Sequence, residues 1–299
     1  MPYAVIFPGQ GAAAPAAGLA WVDHPAWRVV AEAEAATGRP LARLLLEADA
    51  DELSSTGASQ LAVLLTSLVA WQAFADATDD TPVAFAGHSL GQITALIAAG
   101  AVDRGDGFRL AARRADLSQL SADARPGRMA ALVGTDLDAA ATVCAGGDVW
   151  MANDNAPGQV VVAGTPACLD AAAERARAAG VRRVMPLDVG HAFHTPLLSE
   201  AADELRGRPE LGARDPLAHT DPAGWPDLLT RHLVEPVRWR ESQLTLADAG
   251  ATAFVEVGPG RVLAGLAKRT VPDVTVLNLA TPGDLVPLSE ALAPTGAPR

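Results

Sequence analysis

The sequence predicts an α/β fold in which a mainly parallel sheet carries a small inserted domain. Two observations predict it. Strand, turn and helix signals alternate along most of the 299 residues, which is typical of parallel sheets covered by helices, and the order of these signals changes near Pro126. A hydrophobic content of 49% is enough to build one large core with a smaller one beside it.

The large domain begins with an apolar strand at 3–7 that ends in the turn "PGQG". A second apolar strand at 83–85 ends in a turn that contains a serine. Residues 59–74, between the two strands, are apolar nearly all round and predict a buried helix. Two further helices are predicted, at 90–99 and at 108–120.

The segment 126–190 predicts a ferredoxin-like subdomain, because its elements follow the order βαββαβ. The predicted elements are a strand "MAALV", a helix "DLDAAATVC", strands "VWMAN" and "QVVVAG", a helix "PACLDAAAERARAAG" and a strand "RRVMPL". We therefore divide the chain into a large subdomain, 1–125 and 191–299, and this small one. Beyond it, the elements expected are helices near 197–206, 226–234 and 238–249, a strand "AFVEV", a helix to Arg269, a strand near "VTVLNL" and a frayed tail "ALAPTGAPR".

Charge and cysteine content exclude several classes of function. The net charge of −12 and the pI near 4.9 argue against a nucleic-acid partner. We expect a cytoplasmic protein without membrane association, since there is no basic leader and no run of eighteen apolar residues. Cys144 and Cys168, the only cysteines, fit neither a disulfide framework nor a cysteine zinc site, and no metal site is expected.

The turn "GHSLG" places Ser89 in a G-x-S-x-G pattern between a predicted strand and a predicted helix. Such a turn can expose a nucleophilic hydroxyl above the helix N-terminus, where the N–H of Leu90 faces a developing oxyanion. The alternative is an ordinary serine in a tight turn. The strand before it and the helix after it favour the nucleophile.

A serine nucleophile needs a base, and the chain contains six histidines. His24, His219 and His232 lie in polar or proline-rich surroundings and are expected at the surface. His88 adjoins Ser89 and is expected to pack or hydrogen-bond locally. The two candidates that remain lie in "DVGHAFHTPLL", and the pattern alone does not choose between them: His191 and His194.

Six motifs give the chain a specific resemblance. They are "FPGQG" at 7–11, "GHSLGQ" at 87–92, "NDNAPGQVVVAG" at 153–164, "HAFHTP" at 191–196, "EPVRW" at 235–239 and "VEVGPGRVLAGLAKR" at 255–269. In this order they resemble the malonyl-CoA:acyl-carrier-protein transacylase family and the acyltransferase domains of polyketide and fatty-acid synthases. The resemblance implies an α/β-hydrolase-like core with an inserted ferredoxin-like subdomain, and an active site between the two.

The resemblance also assigns catalytic roles. It implies that Ser89 accepts the acyl group, that His194 is its base, and that a main-chain carbonyl at Glu235 orients this histidine. Asp188 is a less favoured orienting group, suggested only by its proximity along the chain. The backbone N–H groups of Gln10 and Leu90 are expected to form the oxyanion hole.

Further residues are implied to contact the substrate. Arg114 matches the arginine that holds the free carboxylate of malonyl groups, and a guanidinium can grip a carboxylate with two parallel hydrogen bonds. Arg113 beside it is expected to be a surface charge. Phe193 would fill space near the malonyl α-carbon, and His88 and Asn155 are additional candidates for substrate binding.

The expected function is transfer of a malonyl group from malonyl-CoA to the phosphopantetheine thiol of an acyl carrier protein, through an acyl-serine intermediate. CoA thioester is the substrate, and no permanently bound cofactor is expected. We expect a monomer acting in polyketide or fatty-acid biosynthesis. One alternative is an editing hydrolase that removes acyl groups from the acyl carrier protein. The others are a transferase of a non-malonyl group between carrier proteins and, least favoured, an inactive scaffold that binds the carrier protein.

Overall fold

The computed structural model describes residues 1–206 and 225–293. Residues 207–224, which include His219, lie outside the described residues, as does the end of the tail from residue 294. The strands are β1 (Tyr3–Phe7), β2 (Ala84–Gly87), β3 (Arg128–Val133), β4 (Val149–Ala156), β5 (Gln159–Gly164), β6 (Arg183–Leu187), β7 (Ala253–Val257) and β8 (Thr275–Leu279).

Helices surround these strands. They are α1 (Arg28–Thr37), α2 (Leu41–Glu47), α3 (Ala50–Ser54), α4 (Thr56–Ala75), α5 (Gly91–Ala98), α6 (Arg104–Ala124), α7 (Leu137–Cys144), α8 (Pro166–Ala178), α9 (Ser199–Arg206), α10 (Trp225–Val234), α11 (Trp239–Asp248), α12 (Val262–Thr270) and α13 (Leu285–Leu292). The last helix was not predicted. It forms because Leu288 and Leu292 are buried in the main core, so the chain is ordered two residues into the tail expected to fray.

The first sheet is parallel, with the strand order β2-β1-β7-β8. Alternate residues of β1 point to opposite faces. Val5 and Phe7 pack into one hydrophobic cluster, and Ala4 and Ile6 pack into another. Both faces are therefore covered, as parallel sheets require.

The second sheet is antiparallel, with the strand order β4-β5-β3-β6. This order and the βαββαβ sequence are those of a ferredoxin-like unit, so the structure confirms the fold class. Its core lies between the sheet and helices α7 and α8, and includes Leu132, Val143 and Ala172. The boundaries at 126 and 190 stay a prediction.

The antiparallel sheet contacts the large subdomain beside the turn that follows β2. The N–H of Asp154 in β4 donates to the carbonyl of Val237 at 2.9 Å, and the N–H of Val237 donates to the carbonyl of Ala152 at 2.9 Å. This bridge brings the motif at 153–164 against the segment before α11. A cleft forms between the antiparallel sheet and the loops that follow β1 and β2.

Helix α4 is the one described helix that is long and apolar enough to cross a bilayer. It spans 20 residues, and 83% of its most apolar window is buried inside the protein. A helix buried to this extent is a core helix, as the sequence predicted.

Candidate active site

Ser89 lies on a sharp turn between β2 and α5, as predicted. Its φ angle is +54°, a left-handed backbone conformation that residues other than glycine rarely adopt. Glycine is required on both sides of it. A Cβ atom at Gly87 would lie 1.9 Å from the carbonyl carbon of Gly91, and one at Gly91 would lie 2.2 Å from the oxygen of Phe7. The turn therefore presents the Ser89 hydroxyl at the carboxyl end of the parallel sheet.

His194 is the histidine that meets the serine. Its Nε2 lies 2.8 Å from Ser89 Oγ, although the two residues are 105 positions apart in the chain. The φ angle of His194 is also positive, at +61°. His191 is fully buried elsewhere, with Nε2 3.2 Å from Ser121 Oγ. The structure thus separates the two candidates that the sequence pattern left open.

The carbonyl that orients His194 belongs to His232, and the prediction of Glu235 is wrong. His194 Nδ1 lies 2.7 Å from the oxygen of His232. The last four carbonyls of a helix have no partner within the helix, and His232 is in the last turn of α10. Glu235 lies beyond the helix end, where its N–H donates to the carbonyl of Arg231. A carbonyl also takes the place that Asp188 would have filled.

This contact defines the proton positions on the His194 ring. A carbonyl oxygen can only accept a hydrogen bond, so Nδ1 carries the proton and Nε2 is free to accept the serine proton. Burial lowers the pKa of His194 well below its ordinary value, and the nearby His232 and Arg114 lower it further. The ring is therefore neutral at physiological pH, as a base must be.

The expectation that His232 is a surface residue is also wrong. Its ring centroid lies 5.1 Å from that of His194, and the ring is half-buried. Withdrawal from water, reinforced by Arg114 and His88, lowers the pKa of His232 to about 3. A second neutral imidazole therefore covers one side of His194.

The guanidinium of Arg114, on α6, also lies next to Ser89. Its Nη2 lies 3.3 Å from Ser89 Oγ, and its Nη1 donates to Oε1 of Gln60. The residue is only 4% exposed. Among the residues that the structure describes, no carboxylate pairs with it, and burial lowers its pKa to about 10, which still leaves it protonated at neutral pH. Arg113, by contrast, is paired with Glu204.

Two backbone N–H groups next to the serine have no acceptor within the described ranges: those of Gln10 and Leu90. Gln10 follows β1, and β1 is the parallel neighbour of β2, so the two strand ends lie side by side. The approach is close, since a Cβ atom at Gly9 would lie 2.9 Å from the oxygen of His88. Free N–H groups at this position are suited to binding an oxyanion.

A cavity of about 370 Å³ opens in front of Ser89. Its walls come from the antiparallel sheet, the loops after β1 and β2, helix α12 and the segment after β6, in which Phe193 and His194 line it. His88 and Asn155 also line it, but their side chains bond each other, with His88 Nε2 2.9 Å from Asn155 Oδ1. Their expected contact with substrate stays a prediction.

Sequence reasoning missed Gln60 and Thr56, which complete the site behind Arg114. Gln60 is fully buried, and Thr56 is 2% exposed. A partial signal was available for Gln60, which is a polar residue inside the apolar segment 59–74, whereas Thr56 lies before that predicted helix. In the structure both are on α4, where their spacing of four places them on one face. In the described ranges, no group of three or more His, Cys, Asp or Glu side chains is placed to hold a metal ion.

Comparisons with known proteins show the family to which the chain belongs. Residues 4–213 match the family model "Acyl transferase domain". The chain is 35% identical to the malonyl CoA-acyl carrier protein transacylase of Salmonella typhimurium, over 95% of this chain and 97% of the relative.

Solved structures are also similar. The acyl-carrier-protein S-malonyltransferase of Burkholderia pseudomallei has a TM-score of 0.89 and 35% identity, covering 97% of this chain and 100% of that one. A malonyl-transacylase solved in complex with a type II PKS acyl-carrier protein has a TM-score of 0.87 and 31% identity, with coverage of 97% and 100%.

Proposed function

The chain belongs to the acyl transferase domain family, and we propose that it moves malonyl groups from malonyl-CoA to the phosphopantetheine thiol of an acyl carrier protein. The family supplies the reaction class, and relatives at about 35% identity bear the name of this reaction. The proposed setting is fatty-acid or polyketide biosynthesis.

One observation supports the choice of a malonyl substrate: Arg114 is a buried guanidinium that has no anionic partner among the described residues, and it lies 3.3 Å from the serine hydroxyl. A buried charge that lacks a counter-ion is costly. The free carboxylate of a malonyl thioester would neutralise it while the thioester carbonyl lies next to Ser89. Acetyl groups and long acyl chains have no carboxylate to offer.

The first half of the proposed reaction loads the enzyme. Nε2 of His194 takes the proton of Ser89 Oγ, which attacks the thioester carbonyl, while the N–H groups of Gln10 and Leu90 stabilise the oxyanion. The C–S bond then breaks, the CoA sulfur receives the proton from His194, and a malonyl ester remains on Ser89.

The second half reverses these roles. The carrier-protein thiol gives its proton to His194, and its sulfur attacks the ester carbonyl above the same two N–H groups. Ser89 Oγ leaves and recovers the proton from His194. Nothing is oxidised or reduced in either half, so we propose that the enzyme needs no permanently bound cofactor.

Selectivity between malonyl and branched malonyl groups is proposed to depend on Phe193, which lines the cavity and is 5% exposed. One methyl group changes binding in an apolar pocket by only about 1–3 kcal/mol. A preference for the unbranched group follows. We further propose that the protein works as a cytoplasmic monomer, without nucleic-acid or membrane partners.

Intact-protein mass measurement tests the function. After incubation with malonyl-CoA, we expect a stable mass increase of one malonyl group, which is absent from Ser89→Ala and is lost when phosphopantetheinylated carrier protein is added. Acetyl-CoA at the same concentration is expected to give far less adduct. Release of free malonate without an adduct would favour the hydrolase, and an adduct with other acyl thioesters alone would favour a different transferase. Absence of any reaction would favour the inactive scaffold.

A further inference from the structure

A chain of hydrogen bonds runs behind the site from Arg114 to Gln10. Arg114 Nη1 bonds Oε1 of Gln60. Nε2 of Gln60 bonds Oγ1 of Thr56 at 3.1 Å, and Oγ1 of Thr56 bonds Oε1 of Gln10 at 3.0 Å. The chain joins the candidate carboxylate-binding group to the candidate oxyanion loop, and Thr56 is the link between the two halves.

The direction of every bond in this chain follows from the positive charge at its start. A guanidinium has donors only, so Gln60 must turn its oxygen toward Arg114 and its NH2 group toward Thr56. The threonine oxygen therefore accepts, and its single proton points to the oxygen of Gln10. The hydroxyl at position 56 both accepts the first bond and donates the second, which an aliphatic side chain of the same size cannot do.

The two ends of the chain need such support for different reasons. Arg114 has its long side chain buried, and Gln60 is its hydrogen-bonded partner besides Ser89. Gln10 lies between Gly9 and Gly11, whose backbones are the most permissive in proteins. A tether on the Gln10 side chain limits rotation of this residue and hence of its N–H group.

We propose that Thr56 is a positioning residue that holds the carboxylate-binding guanidinium and the oxyanion loop at a fixed separation. The inference rests on the proposed function, because the separation matters for a substrate that has a carboxylate at one end and a reacting carbonyl at the other. Thr56 touches neither group of the substrate. It acts through Gln60 on one side and through Gln10 on the other.

Thr56→Val tests the proposal, since valine keeps the shape of threonine and removes the hydroxyl. We expect kcat/KM for malonyl loading of Ser89 to fall roughly 10- to 100-fold, with a smaller loss for acetyl loading, which does not use Arg114. Thr56→Ser is expected to restore malonyl loading to within about threefold of the wild-type value, because one hydroxyl suffices.

Thr66→Val is the matched control. Thr66 lies on the same helix and is also 2% exposed. Its hydroxyl donates a hydrogen bond to the carbonyl oxygen of Ala62 at 2.8 Å. We expect malonyl loading by this variant to equal that of the wild type. Loading by Thr56→Val within twofold of the wild type would overturn the proposal, as would an equal loss of malonyl and acetyl loading that follows a fall in melting temperature.

Two further measurements keep the test decisive. If Thr56→Val does not fold, Gln10→Met breaks only the last bond and keeps the backbone N–H; a fivefold or greater loss is expected, and unchanged loading contradicts the proposal. If the wild type forms no malonyl ester, the proposed function fails, and inactivation of Ser89 by phenylmethylsulfonyl fluoride tests Thr56 alone. Thr56→Val should slow that inactivation and Thr66→Val should not; equal rates overturn the inference.

Discussion

Ser89 and His194 share an unusual backbone conformation. Their φ angles are +54° and +61°. Residues other than glycine in this left-handed region store on the order of 1–3 kcal/mol of backbone strain each. The strain is held by the packing around both residues, including the glycine contacts at Gly87 and Gly91. It aims the two side chains at each other, so the serine–histidine bond exists before any substrate arrives.

Replacing Arg114 by lysine tests the role of its guanidinium at the scale of one residue. Lysine keeps the charge but lacks the planar fork that matches a carboxylate. We expect Arg114→Lys to reduce kcat/KM for malonyl loading by roughly 30- to 150-fold, equivalent to about 2–3 kcal/mol, and to leave acetyl loading unchanged or increased.

Arg113→Lys provides the control for this substitution. Arg113 precedes Arg114 on α6 but pairs with Glu204 and makes no hydrogen bond to Ser89. Malonyl loading by Arg113→Lys should match that of the wild type. Equal losses in the two variants would mean that Arg114 supports the helix and does not bind substrate.

At the scale of elements, the site depends on how closely the turn after β2 approaches the end of β1. Gly91 is the first residue of α5, and a Cβ atom there would lie 2.2 Å from the oxygen of Phe7 and 2.9 Å from that of Pro8. Both contacts are to backbone, which cannot move without displacing the loop of Gln10. The packing of two strand ends therefore sets the geometry of the oxyanion site.

Two glycine-to-alanine substitutions in helices test whether this close packing sets the geometry of the oxyanion site. In α12, nothing lies within 4 Å of a Cβ atom at Gly265, so Gly265→Ala should stabilise the protein by about 0.5–1 kcal/mol through helix propensity. Gly91→Ala should destabilise it by several kcal/mol, on the order expected for overpacking and backbone shifts, and should lower malonyl loading.

Urea unfolding and the rate of Ser89 malonylation measure both effects. A Gly91→Ala variant as stable and as active as the wild type would show that the strand end and the turn have more freedom than the close contact implies.

At the scale of the whole molecule, burial of several histidines links stability to pH. The pKa values of His88, His191, His194 and His232 are all lowered, in each case mainly by withdrawal from water. Below an unfolded-state pKa of about 6.5, the imidazoles of the unfolded chain bind protons, whereas those of the folded chain stay neutral. Stability is therefore full above this pH and decreases as the pH falls.

We expect the melting temperature to decrease steadily between pH 6.5 and pH 5, before most carboxylates begin to titrate. Each histidine that stays neutral in the folded state contributes a slope of up to about 1.4 kcal/mol per pH unit. His232→Gln, which removes one of these groups and keeps the orienting carbonyl, should reduce the slope. Stability that is constant across this interval would contradict the assignment of buried neutral imidazoles.

Much of the architecture could be predicted because it depends on local patterns. The glycines beside Ser89, the apolar strands and the βαββαβ order are all read from neighbours along the chain, and the structure confirms the fold that they indicate. Arg114 could be named because a whole motif set resembled a family, and the structure then placed its guanidinium next to the serine.

The errors concern contacts between distant segments. Glu235 and His232 are three residues apart, which is most of a helical turn. The helix predicted at 226–234 agrees with α10, but it did not show which carbonyl near its end would face His194. His232 was expected at the surface because its neighbours along the chain are polar, although its carbonyl and its ring both contact His194. Thr56 and Gln60 were overlooked because nothing local relates a buried helix to the turn of Gln10.

The sequence by itself determined the fold class, the family and the turn that carries the candidate nucleophile, because each of these is encoded in short runs of residues whose steric and apolar pattern allows few alternatives. The resemblance named His194, and the tertiary structure brought it to Ser89. Only the tertiary structure decided which carbonyl holds His194 and which buried side chains connect Arg114 to Gln10. Hydrogen bonds are sensitive to displacements of less than 1 Å, and such positions are set by how helices α4, α6 and α10 pack around the sheet and not by any one of them alone.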